Sequence, residues 1–260
     1  MLFFDPVLSG NYKRSCASCH RPQKAFTDQR ITARAYEFSG NLAVNTPTLL
    51  GAARQHQFFH NGRAGSLAQV IQSVLTNPSE LNSSYAQLTD RLTGSDTYRN
   101  WFWQVYGQMP SEKTVNNALI TYLNQLAGPP TRHASKRTLM TVNSGQSVFA
   151  KAGCITCHPA PYYRDERRHE ITPDHWVRTP GLRYLPFTPP YLADGSAPTL
   201  EAVLTSPFHA RQRRLSVADR KHLVLFMSNL PADTTYLTRA MPTALPDIPG
   251  APVRRVGGSY

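Results

Sequence analysis

Two short stretches carry the chemistry of this chain: Cys16-Ala17-Ser18-Cys19-His20 and Cys154-Ile155-Thr156-Cys157-His158. They use all four cysteines of a 260-residue chain, too few for a disulfide framework. Two thiols at this spacing can add across the two vinyl groups of a porphyrin. The histidine beside the second thiol then reaches the iron, which is the C-x-x-C-H arrangement of covalent c-type haem. Two rival chemistries use the same residue types. Zinc would need its ligands to converge from pairs far apart in sequence, each with a histidine already attached. A thioredoxin-like redox pair would need a strand-rich βαβ context, and strand-like alternation is almost absent here. Two covalent haems are therefore expected.

The segments that must hold these motifs read as helices. Ser66 to Leu75 places Leu67, Val70, Ile71, Val74 and Leu75 on one face. Ser111 to Leu126 carries Val115, Leu119, Tyr122, Leu123 and Leu126 on one stripe. Ser216 to Leu230 does the same with Leu223, Phe226, Met227 and Leu230, after a Ser-x-x-Asp start that resembles a capping box. A short helical run before the second motif ends at Gly153, and 21 prolines punctuate long loops. The stretch from Gly128 through Arg137 reads as a linker. The expected fold is mainly α, with two cytochrome c-like helical domains, each holding one covalent haem, and long proline-rich loops. The expected boundaries are 1–127 for the first domain, 128–140 for the linker, 141–230 for the second domain and 231–260 for a proline-rich tail lying on the surface or loose. Beyond the cysteine motif the two halves show no repeat that aligns by eye.

Hydrophobic residues make up 40% of the chain and charged ones 17%, enough to build a core. No apolar run approaches the roughly 18 residues of a membrane span. The net charge of +12 first suggests nucleic acid, but no recognised binding motif accompanies it. Haem propionates account for part of the positive charge, and the remainder favours an acidic patch on a protein partner. Attachment of c-type haem takes place on the export side of a membrane, so a periplasmic location is expected. Met1-Leu2-Phe3-Phe4-Asp5-Pro6 has no basic n-region, so a leader is expected to be missing from this chain.

Further motifs surround the cysteines in a fixed order. They are Leu2-Phe3-Phe4-Asp5-Pro6, Lys24-Ala25-Phe26-Thr27-Asp28, Asn45-Thr46-Pro47-Thr48-Leu49, Phe59-His60-Asn61-Gly62-Arg63 and Asn77-Pro78-Ser79-Glu80-Leu81. In the second half come Arg178-Thr179-Pro180-Gly181-Leu182-Arg183 and Thr188-Pro189-Pro190-Tyr191 through Gly195. In this order the chain resembles the bacterial dihaem cytochrome c peroxidase family, which includes the dihaem enzyme that matures tryptophan tryptophylquinone. The resemblance implies a peroxidatic N-terminal haem with an open site and a C-terminal haem that relays electrons. It makes His20 and His158 the proximal ligands and places the distal acid on Glu80, a residue that would otherwise read as a solvated helix-start glutamate. It implies one calcium ion held by the Asn45 side chain and the carbonyls of Thr188 and Pro190, and propionate partners at Arg178 and Arg183. Family members are often homodimers.

Four departures from the family pattern matter. The loop Thr32 to Gly40 lacks the histidine that blocks the first iron in many members. The usual outer methionine of the second haem falls on Pro207, with His209 two residues on as a substitute ligand or as an ordinary surface histidine beside Arg211, Arg213 and Arg214. His60 stands where the family has a bridging tryptophan, and Trp101 and Trp103 read as packing residues instead. The glutamine and proline of the distal pocket fall on Val70 and Val74, which leaves Glu80 as its acid–base group. Three functions fit. One is peroxide-driven oxidation of a partner protein, another is peroxide scavenging with electrons from a small cytochrome or copper protein, and the third is plain electron carriage.

Overall fold

The computed structural model describes the chain except residues 39, 127–135, 173, 208, 210–214, 233–234, 236–239 and 260, and leaves the side chains of 136–142 and 172 undescribed. Its helices begin where short polar side chains can accept from otherwise orphaned N–H groups. Helix α1 (Cys16–Cys19) carries the first pair of thiols. Helix α2 (Leu67–Thr76) is capped by Ser66, which accepts from Gln69 N at 3.2 Å. Ser84 caps α3 (Tyr85–Gly94), Ser95 caps α4 (Asp96–Tyr106) and Ser111 caps α5 (Glu112–Gln125). Their apolar faces meet Leu2, Phe3, Phe4, Val7 and Leu8 from the N-terminus, forming a first core with Leu88, Leu92, Phe102, Val115 and Leu119.

A second core joins α6 (Lys136–Lys151), α7 (Leu200–Thr205) and α8 (Val217–Ser228) through Phe149, Leu200, Leu204, Leu223, Phe226 and Met227. The Ser216–Asp219 capping box expected for α8 is present. Helix α6 passes close over α8 at Gly145, where a Cβ would lie 2.3 Å from the His222 carbonyl oxygen. The linker expected over 128–140 lies outside the described residues as far as 135. Helix α6 takes up its last five positions, since residues 136–140 contain neither glycine nor proline.

Three features differ from the sequence expectation. A two-stranded antiparallel ladder, β1 (Arg168–Thr172) with β2 (His175–Arg178), follows the second motif. Its strands are too short, and too rich in charge and histidine, to show alternation. Trp103 is exposed on α4 (58%) and does not pack the core, while the partly open Trp101 (38%) meets the buried Tyr98 edge-on at 5.7 Å. The tail from Pro231 returns to the first core, where Ile248 is buried and Arg254 pairs with the buried Asp5.

Superimposed on this architecture is a repeat that the sequence alone conceals. Phe58 bridges to Ala64 in the first half and Tyr191 to Ala197 in the second. Each bridge encloses two left-handed residues at matching positions, Phe59 (φ 62°) and Gly62 (φ 69°) in one, Leu192 (φ 70°) and Gly195 (φ 67°) in the other. Each is followed by a hydroxyl cap and a helix, Ser66 with α2 and Thr199 with α7. Side-chain identity has drifted while backbone geometry has not, which is why reading by eye misses it.

The halves meet along loops. Asn45 N donates to Ala193 O at 2.8 Å, Arg178 N to His60 O at 2.8 Å, and the Arg164 guanidinium to Arg54 O at 2.7 Å. Gly195 sits at this seam, where a Cβ would lie 2.1 Å from the Ile31 carbonyl oxygen, at a φ that side chains rarely adopt. Gly195→Ala should therefore cost about 1–3 kcal/mol and raise proteolytic cleavage in the seam loops. Unchanged melting and digestion would show that the seam gives way freely.

Candidate active site

The first C-x-x-C-H motif opens onto a cavity. Its walls are mostly apolar: Phe3, Leu8, Leu42 and Leu49, with Val70, Ile71 and Val74 from α2 and Leu119 and Leu123 from α5. Cys16, Cys19 and His20 line it together, as covalent attachment along one porphyrin edge requires. Ring Nδ1 of His20 lies 2.9 Å from the Phe26 carbonyl oxygen, so Nδ1 carries the proton and Nε2 keeps a lone pair for a metal. In the second motif, His158 Nδ1 lies 3.0 Å from the Tyr163 carbonyl oxygen and is held in the same tautomer. Burial keeps both imidazoles neutral, and that of His158 is pushed down to about 4.

The thiols argue against a reactive redox pair. Burial raises Cys16 to about 12, and raises Cys19 to about 11 despite the nearby Arg14. A redox thiolate needs the opposite, an electropositive setting that lowers the thiol. Among the described residues, one group of metal-ligating side chains with three members stands out, Cys157 with Asp165 and His169. Asp165 already accepts from Arg167 N at 3.0 Å and lies 2.7 Å from the His169 ring, so its oxygens serve the loop after the motif. An apolar slot with paired thiols and a tautomer-locked imidazole fits haem.

Glu80 lines the same cavity as His20, from the turn that follows α2. Asn77 Nδ2 donates to Glu80 Oε1 at 2.8 Å and fixes the carboxylate. Burial raises its pKa above the ordinary 4.5, while Asn77, Arg63 and Arg14 pull it down. Val70 and Val74, the expected pocket positions, line the cavity. His20 is the lone imidazole among the described residues of the lining, and Arg34 of the loop 32–40 reaches it.

Sequence reasoning missed Arg14, which is 2% exposed, lines the cavity and donates to the Arg34 and Ala35 carbonyls. Its position two residues before Cys16 was the available signal, but nothing marked it as buried. Arg183 is buried and donates to Pro231 O at 2.7 Å; Arg178 donates to Phe59 O at 3.2 Å beside the seam. The equally buried Arg164 went unnoticed. His60 lies within the seam, with Nε2 2.9 Å from the Asn45 carbonyl oxygen. Pro207 follows the end of α7, and His209, two residues on, is half-buried, with Arg211, Arg213 and Arg214 outside the described residues.

Comparison with known proteins agrees with this geometry. A family model described as di-haem cytochrome c peroxidase matches residues 1–136. A methylamine utilization protein MauG of Methylorubrum extorquens is 28% identical, over 95% of this chain and 79% of its own. A cytochrome c551 peroxidase of Nitrosomonas europaea is 27% identical, over 90% and 78%. The crystal structure of a MauG-like protein associated with microbial copper homeostasis superposes with a TM-score of 0.78 at 20% identity, covering 91% of this chain and 89% of that one. The diheme peroxidase BthA of Burkholderia thailandensis gives 0.74 at 20%, covering 96% and 88%.

Proposed function

We propose, from the premise that the chain belongs to the di-haem cytochrome c peroxidase family, that it activates hydrogen peroxide at the Cys16–His20 site and draws electrons from a protein partner through the Cys154–His158 site. It is a peroxide-dependent oxidoreductase of a two-haem family, and plain electron carriage is set aside. The observation that carries the proposal is Glu80, a half-buried carboxylate held by Asn77 in a cavity whose one imidazole among the described residues, His20, would be committed to the metal.

Cys16, Cys19 and His20 would hold the first haem, and Cys154, Cys157 and His158 the second, by thioether bonds and one imidazole each. The bound haems supply iron that accepts the oxidising equivalents of peroxide and passes electrons between the sites. The protein handles protons. Glu80 takes the proton from one peroxide oxygen and returns it to the other, so that the latter leaves as water. The surrounding apolar side chains exclude bulk water, and Arg14 and Arg34 supply fixed positive charge at the cavity wall. Arg178 and Arg183 would pair with haem propionates. A calcium ion on the Asn45 side-chain oxygen and the carbonyls of Thr188 and Pro190 would reinforce the seam. Asn45 Nδ2 points to the Arg30 carbonyl at 2.6 Å, which turns its oxygen the other way. A partner with an acidic patch would suit the basic chain, and haem attachment on the export side would agree with a periplasmic location.

Oxidation of a partner protein is the favoured form, because the first site lacks a blocking histidine and the methionine position of the second falls on Pro207. A second reading, scavenging with a small cytochrome as donor, is favoured by the likeness to a cytochrome c551 peroxidase. Stoichiometric peroxide added to the ferric holoprotein separates them. A long-lived near-infrared band supports sharing of oxidising equivalents between the two sites. Rapid peroxide loss matched by oxidation of a reduced small cytochrome c marks scavenging. No spectral response defeats both readings.

A further inference from the structure

The repeat noted above extends past the helices. Helix α2 is closed by the C-cap Asn77 and α7 by the C-cap Ser206, with almost the same backbone at the two caps (φ −69°, ψ 121° and φ −69°, ψ 131°). Both caps are followed by proline, Pro78 and Pro207. In both, the residue three positions beyond the cap folds back onto it. Glu80 N donates to Asn77 O at 3.0 Å, and His209 N donates to Ser206 O at 3.2 Å. Helix α7 has 6 residues where α2 has 10. The missing four amount to about one helical turn, so the exit keeps its facing on the helix. His209 is thus the second module's counterpart of Glu80.

Glu80 lines the cavity of His20. If the turn does the same work in both modules, His209 addresses His158. His209 is half-buried, unlike a solvated surface histidine.

We propose that His209 is the second axial ligand of the iron at the Cys154–His158 site, giving that site two imidazoles, while the equivalent Glu80 leaves the first site open. This rests on the reading of two covalent haems. One backbone turn, used twice, would then carry opposite chemistry. A carboxylate held by Asn77 accepts and donates protons, whereas an imidazole donates a lone pair to iron and closes the site. A histidine in place of a methionine thioether lowers the reduction potential, which suits a site that must give up electrons to a strong oxidant.

Low-temperature electron paramagnetic resonance of the ferric holoprotein tests this without reference to turnover. Haem content is counted by mass and pyridine haemochrome. The expected spectrum holds one high-spin centre and one low-spin centre with two nitrogen ligands. His209→Gly should abolish the low-spin signal, and free imidazole should restore it. Glu80→His should convert the first centre to low spin as well, which tests the equivalence of the two turns in a variant that keeps His209. A low-spin signal that survives His209→Gly overturns the ligand and leaves the two-haem reading intact. A sulfur or oxygen signature in the unmodified protein does the same. A chain with no porphyrin on Cys154 and Cys157 overturns both.

Discussion

Replacing Glu80 with glutamine should slow the reaction of the ferric protein with peroxide by about 10²–10⁴-fold, the usual worth of a positioned acid–base group. The effect should be near the upper end because nothing else in the cavity can take its place. Of the polar residues in the lining, Arg14 and Arg34 offer only donors, Ser15 carries a weakly acidic hydroxyl, and Cys16 and Cys19 would be committed to attachment and His20 to the iron. Glutamine preserves the shape and can still meet Asn77, so haem content and the spectrum of the resting protein should not change. The pH dependence supplies a second readout. The base form of Glu80 is lost as pH falls through its pKa, which burial has raised above 4.5. The acid limb of the rate profile should accordingly lie above 4.5. Asn77→Ala removes a donor that favours the ionised carboxylate, so it should move that limb further up. Stopped-flow mixing with peroxide across pH measures both. A rate unchanged in Glu80→Gln would remove the carboxylate from the reaction.

The parts of this site legible in the sequence were those with a fixed covalent grammar. C-x-x-C-H declares itself because two thiols and an imidazole must meet one porphyrin edge, and Ser66, Ser111 and Ser216 declare helix starts because only short polar side chains cap them well. Glu80 was legible only through the family resemblance. Alone, an acid after Asn-Pro-Ser is an ordinary solvated residue, and what distinguishes it is a donor at 2.8 Å and a cavity, both products of tertiary structure. Arg14 and Arg164 were invisible for the complementary reason. Arginines are usually exposed, and their burial is decided by carbonyls of Arg34, Ala35 and Arg54 that arrive from elsewhere in the chain. The repeat was hidden because it is written in positive-φ positions. Only the glycine of each pair announces such a position in sequence, while Phe59 and Leu192 do not.

Asp5→Ala should destabilise the protein by about 3–5 kcal/mol, the cost of leaving a buried charge without its partner. Asp5 is fully buried, and Arg254 nearly so at 5% side-chain exposure. Arg254 donates to Asp5 Oδ1 at 2.8 Å and Oδ2 at 3.3 Å, Tyr98 of α4 donates to Oδ2 at 2.7 Å, and Val7 N to Oδ1 at 2.8 Å. One carboxylate therefore joins the N-terminal turn, the first core and the returning tail. The damage should reach the haem motif. A few residues on, Gly257 N donates to Phe4 O at 2.8 Å and Gly257 O accepts from Ser18 Oγ at 2.9 Å. Ser18 lies between the two thiols of α1. Urea unfolding of the holoprotein should show a lower midpoint with little change in slope. Adding Arg254→Met to Asp5→Ala removes the stranded guanidinium and should recover part of the loss, which sets charge burial apart from lost packing. A loss under about 1 kcal/mol, the range of exposed ion pairs, would mean that the tail does not hold the first module together.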